Sequence, residues 1–150
     1  MAESWAPSLA DVGRHVPSHT RSTDPADDGE LGTFTPNTTP TDAQAADTID
    51  AAVNTILAQV GPMPTSPPIA VQQCTAAARS AAEWQAAADI ELQYPTRPGD
   101  VQVWDQLSQR AFEALTALHE VLIEFGAGDI SEFPVWSMPL PVAWGDQEIF

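Results

Sequence analysis

The chain has 150 residues, 43% of them hydrophobic, which is enough for one domain around one core and excludes global disorder. Twenty-one acidic residues against five arginines and no lysine give a formal charge of −16, which excludes phosphate neutralisation as a binding mode and predicts repulsion of nucleic acid. A basic region leading into an apolar one is missing from the start, as is any run near the roughly 18 apolar residues of a membrane span, so the expectation is a soluble protein without a signal peptide.

Pro7-Ser8 opens a short amphipathic helix over residues 9–14, with Ser8 as cap and Asp11 at the third helical position. Residues 15–40 then pass through Pro17, Pro25, Gly29, Gly32 and Pro36 among many Ser, Thr and Asp, the composition of a long, solvated and mobile loop. Within it Leu31-Gly-Thr-Phe-Thr35 has strand character and predicts a short ribbon. Asp24, Asp27, Asp28 and Glu30 make the loop acidic, a candidate contact surface.

Thr39-Pro40-Thr41-Asp42 supplies a cap, a proline at the first helical position and a capping-box acid. The helix behind it carries Ala46, Ile49, Val53, Ile56 and Val60 at steps of three and four, and Gly61-Pro62 ends it. A second long helix runs from Ser66-Pro67-Pro68 to Tyr94 with the stripe Ala70, Cys74, Ala77, Ala81, Trp84, Ala88 and Leu92. Small residues of this kind let helices approach closely. Cys74, the single cysteine, excludes an intrachain disulfide and reads as a small buried hydrophobe. After a turn through Tyr94-Pro95-Thr-Arg-Pro98-Gly99, Asp100 is the predicted cap of a third long helix. Its face is Trp104, Leu107, Ala111, Leu115, Leu118, Leu122 and Phe125, it is closed by Gly126, and it lies antiparallel to its predecessor. The predicted fold is all-α: three long helices in a bundle plus a short N-terminal helix.

Residues 127–150 differ in kind. Phe133, Trp136, Met138, Leu140, Trp144 and Phe150 alternate with Pro134, Pro139 and Pro141, which forbid a helix and remove ladder donors. Extended at about 3.3 Å per residue, this arm reaches roughly 75–80 Å, and its six apolar side chains are the candidate partner-binding residues. The expected organisation is a helical domain over residues 1–126 and an extended arm over 127–150.

Patterns for covalent or metal chemistry fail on particular residues. His119-Glu120 with Glu124 lacks the second histidine of a zinc-protease helix, because Ile123 stands where it is needed. Asp24, Asp28 and Gly29 fit positions one, five and six of a calcium loop, but Ala26 and Thr35 occupy two ligand positions. His15 and His19 are separated by Pro17 in a loop and read as solvated. Phosphate loops, nucleophile elbows and Ser/His/Asp patterns are missing, so no cofactor and no enzymatic activity are expected.

The opening string Trp5-Ala-Pro-Ser-Leu-Ala-Asp-Val-Gly-Arg-His-Val-Pro-Ser-His-Thr-Arg21 is followed by Gly32-Thr-Phe-Thr35 and Thr38-Thr-Pro-Thr41, then by Ala86-Ala-Ala-Asp-Ile-Glu-Leu-Gln-Tyr-Pro95 and Val103-Trp-Asp-Gln-Leu107. In order and spacing these resemble the head-to-tail adaptor (connector) proteins of tailed phages infecting actinobacteria. The likeness spans roughly residues 5–122 and leaves the arm uncovered. It implies an α-helical virion subunit that forms a homo-oligomeric ring, typically of twelve, at the head–tail junction beneath the portal protein. That ring extends the DNA channel toward a neck or tail-completion protein and does no covalent chemistry. An acidic, lysine-free wall suits DNA that must pass without being gripped, and an apolar arm suits a groove on the portal, with avidity from repetition. The alternatives are another phage neck protein, such as a stopper or tail terminator, and an acidic DNA mimic that inhibits a nucleic-acid-binding enzyme. Acids scattered over loops and three helices disfavour the mimic.

Overall fold

The computed structural model describes residues 3–27, 29–97 and 101–126. The arm residues Phe133, Trp136, Met138, Leu140, Trp144 and Phe150, the loop residue Asp28 and the expected cap Asp100 lie outside the described residues.

Among the described residues four α-helices occur in order: α1 (Leu9–Gly13), α2 (Asp42–Val60), α3 (Pro68–Gln93) and α4 (Gln102–Glu124), with a 3-10 turn at Pro17–Thr20. The fold is all-α, three long helices and a short N-terminal one, as the periodicities predict. In α1 the Ser8 hydroxyl accepts from the Asp11 N–H at 3.2 Å, and the Asp11 carboxylate accepts from the Ser8 N–H at 2.9 Å, a complete capping box.

Helix α2 starts two residues later than the sequence pattern implies. Thr41 is the cap and Gln44 closes the box, because the Pro40 carbonyl is held at 2.6 Å by the Thr38 hydroxyl and stays outside the helix. At the other end Gly61, with φ +77°, takes a backbone conformation that side chains with a Cβ resist, and its N–H caps the Leu57 carbonyl.

Helix α3 is the centre of the bundle. It packs against α1, α2 and α4, most extensively against α4, and the short connection between the last two makes them an antiparallel hairpin. Of its predicted stripe, Ala70, Cys74, Ala81 and Ala88 are buried, whereas Leu92 is 58% exposed. Burial has instead spread around the helix to Ala78, Ala82, Ala86, Ala87, Ile90 and Glu91, in keeping with the packing of α1, α2 and α4 on it. The facing seam of α4 buries Leu107, Ala111, Leu118 and Leu122, with Trp104, Leu115 and Phe125 half-buried beside them. Leucines of α4 and alanines of α3 thus share one core. Replacing one of those alanines, Ala81→Leu, should destabilise the fold by about 1–3 kcal/mol through overpacking, measured as a lower midpoint in chemical denaturation.

Residues 15–40 are not the solvated loop that their composition suggests. Val16, His19, Thr20, Phe34, Thr38 and Pro40 are buried, and Phe34 and Val16 join the same core as Trp5, Val12, Ile49 and Ile90. Hydroxyl groups supply what regular structure does not. Thr20 donates to the Pro17 carbonyl at 2.8 Å, Thr23 to the Asn37 carbonyl at 2.9 Å, and Thr38 to the Thr35 carbonyl at 2.9 Å. Among the described residues the ribbon expected over residues 31–35 is reduced to one antiparallel bridge, Arg21 to Glu30, flanked by the bond from the Leu31 N–H to the Thr20 carbonyl, while the Thr35 N–H goes to the Thr38 hydroxyl. Gly13 permits the close approach beneath it: a Cβ there would stand 3.0 Å from the Gly32 carbonyl oxygen and 3.1 Å from the Thr20 methyl.

Candidate functional site

Two polar networks fasten this N-terminal segment to α3. In the outer one, the Asp11 carboxylate accepts from the Arg14 guanidinium at 2.8 Å and from Arg79, while Arg79 also reaches Glu83 at 3.5 Å. Glu83 pairs with His15 at 3.2 Å, and the His15 ring lies against Trp84 with centroids 3.9 Å apart. The Ser8 backbone N–H, the Ser8 hydroxyl and the Arg79 guanidinium hold the Asp11 carboxyl far below its ordinary value, and Asp11 in turn raises Arg79.

The inner network is buried. His19 and Glu91 are 7% and 3% exposed and meet at 2.7 Å between Nε2 and Oε2. Glu91 also accepts the Thr96 N–H and the Thr96 hydroxyl, each at 3.0 Å, and His19 Nδ1 lies 3.2 Å from the Thr39 carbonyl oxygen. Burial pushes the Glu91 carboxyl up, but the donors from Thr96 and His19 together outweigh it, and it lies below the ordinary carboxylate value. A depressed carboxyl contributes stability above its unfolded-state value and loses that contribution as pH falls through the folded one.

Asp89 has the opposite sign. Burial raises its carboxyl above the ordinary value against the opposing hydrogen bond from Gln85, so ionised Asp89 lowers stability at neutral pH. Asp89→Asn should therefore raise the melting temperature at neutral pH by about 1–3 °C, with the difference vanishing in acid as the native carboxyl is protonated.

The acidic loop residues stay at the surface. The Arg21–Glu30 pair at 3.3 Å is exposed on both sides, Asp27 is exposed, and the Asp24 carboxylate is used locally, accepting the Ala26 N–H at 2.9 Å. Nothing draws Asp24, Asp27 and Glu30 into a ligand set, and among the described residues no group of three His, Cys, Asp or Glu side chains is placed to hold a metal ion. His15 and His19, read from sequence as solvated, are corrected by their contacts with Glu83 and Glu91. Glu83, Glu91 and Thr96 were missed altogether. The available signal was that Glu83, Asp89 and Glu91 are the only acids on the alanine-rich α3.

Apolar side chains remain at the surface of the bundle: Phe112 is 70% exposed, Val101 64%, and Ile69 56%. Among the described residues no helix is long and apolar enough to cross a membrane. Comparison with protein-family models, with curated proteins and with solved structures returns no match.

Proposed function

We propose that this protein is a structural virion subunit of the head–tail junction of a tailed phage. Its copies form a ring, of twelve by the resemblance, that joins the portal protein to a neck or tail-completion protein and prolongs the DNA channel. What carries the reading is that the segments bearing the resemblance, residues 5–21 and 86–95, come together in space through the His19–Glu91 pair and a shared core. They act as one packed unit, which suits a common fold better than scattered short coincidences.

The charge of −16 without lysine fits a wall that DNA slides past, with Asp27 and Glu30 exposed and Asp24 half-buried beside them for a channel-side or tail-side contact. Phe112, Val101 and Ile69 offer apolar surface that neighbouring subunits would cover. The role is assembly, with no covalent step, and the arm of residues 127–150 is the proposed attachment to the portal. Native mass spectrometry and electron-microscopic class averages of the protein with its portal test the reading. A ring, alone or on the portal, is the expected result; a monomer that assembles in neither setting overturns it.

A further inference from the structure

The arginines of this acidic chain are nearly all engaged internally. Among the described residues Arg14 and Arg79 pair with Asp11, Arg21 with Glu30 and Arg110 with Glu113, which leaves Arg97 as the one arginine without an acid partner. Arg97 is exposed in the turn after α3 and lines a surface groove of about 280 Å³ with Ser18, Glu91, Thr96 and Val103. Glu91 lines it too, but its carboxylate is buried and already engaged by Thr96 and His19, so it does not pair with the arginine.

Exposed apolar side chains gather at the same end of the α3–α4 hairpin. Leu92, near the end of α3, is 58% exposed, and Val101 and Val103, at the start of α4, are 64% and 41% exposed. Apolar surface around an arginine that has no internal partner is the composition of a protein contact. At a net charge of −16 two copies of the chain repel one another over most of their surface, so a contact between them must fall where one side is not acidic. Two Arg97 patches facing each other would set cation against cation. That disfavours a self-complementary pairing and favours a head-to-tail one, the kind that closes rings.

The complementary surface lies on α2. Ala43, Asp47, Asp50, Asn54 and Ala58 recur at steps of three and four along its exposed face, so two carboxylates stand among small side chains that let a neighbour approach. Among the described residues neither carboxylate has a side-chain partner. The acids of α3 are buried or half-buried, and those of α4 share a helix with the patch. Helices α2 and α4 both pack on α3 and scarcely on each other, which sets the acidic face and the Arg97 patch on different flanks of the subunit, as a head-to-tail contact requires. We propose that Arg97, with Val101 and Val103 beside it, docks on the Asp47–Asp50 face of α2 of a second copy of this chain, and that repetition of this contact builds the ring. The contact rests on the ring reading above and adds which two surfaces meet.

Charge exchange on the full chain tests the contact, with assembly followed by sedimentation and native mass spectrometry, alone and with the portal. Arg97→Glu should raise the concentration needed for half-assembly about tenfold or more, because it sets a carboxylate against two others. Asp47→Arg with Asp50→Arg should do the same from the other side, by setting cations against Arg97. All three positions are exposed, and unchanged helical content verifies that each variant folds. Combining the three substitutions in one chain places opposite charges across the contact again and should recover most of the loss. Assembly of Arg97→Glu at the strength of the native chain, or a loss that the combined variant does not recover, overturns this contact and leaves the ring standing. A native chain that stays monomeric both alone and on the portal overturns the ring reading, and this contact with it.

Discussion

Leu118→Ala is expected to lower stability by about 2–5 kcal/mol, toward the upper end of that range, and the melting temperature by about 6–15 °C. Leu118 is fully buried on the seam of α4, and the surface of α3 that shares its core is mostly alanine, Ala78, Ala81, Ala82, Ala86, Ala87 and Ala88, beside Cys74 and Ile90. The loss in such a substitution depends on how far the surroundings collapse into the space left behind. Alanine has no side-chain freedom with which to follow, and both helix backbones are held by their own hydrogen-bond ladders, so the cavity stays close to full size. Leu118→Met, which conserves most of the volume, should cost less than about 1.5 kcal/mol. Equal losses for the two substitutions in urea denaturation would show that the seam is looser than this packing implies.

Removal of residues 127–150 should abolish attachment to the portal while leaving the melting temperature and helical content of the subunit nearly unchanged. The expectation follows from the proposed role of the arm: Phe133, Trp136, Met138, Leu140, Trp144 and Phe150 are interspersed with prolines, a sequence pattern that disfavours a helix and suits a groove on a partner. Tryptophans that enter such grooves are frequent hot spots, so Trp136→Ala or Trp144→Ala should cost about 2 kcal/mol or more per site. In the proposed ring that loss would recur in every subunit, and binding by avidity would fall steeply. A clear drop in melting temperature on truncation would instead assign the arm to its own bundle. Full-strength portal binding by the truncated protein would remove the arm from attachment.

Those two results probe different levels of the molecule, as do the two kinds of information in the chain. The number and order of the helices, the Ser8–Asp11 capping box, the stops at Gly61 and Gly126 and the leucine seam of α4 are all written locally. Each depends on residues within one or two turns of one another, so periodicity and capping chemistry suffice to read it. The start of α2 at Thr41 is already less local, since the hydroxyl of Thr38 decides which residues precede the helix.

Tertiary structure alone decided the fate of residues 15–40 and the partners of His15 and His19. Glu83 lies 68 residues from His15 and Glu91 lies 72 from His19, separations at which no local pattern couples one side chain to another. Composition reads proline, glycine, serine and threonine as loop, correctly for the backbone. It cannot register that threonine hydroxyls and His19 satisfy that irregular backbone, or that His15 and His19 reach glutamates of α3. The same contact buries Glu91 against His19 and Thr96 while the neighbouring Leu92 stays exposed: position around the helix, rather than polarity, sets which side chain meets protein and which meets water.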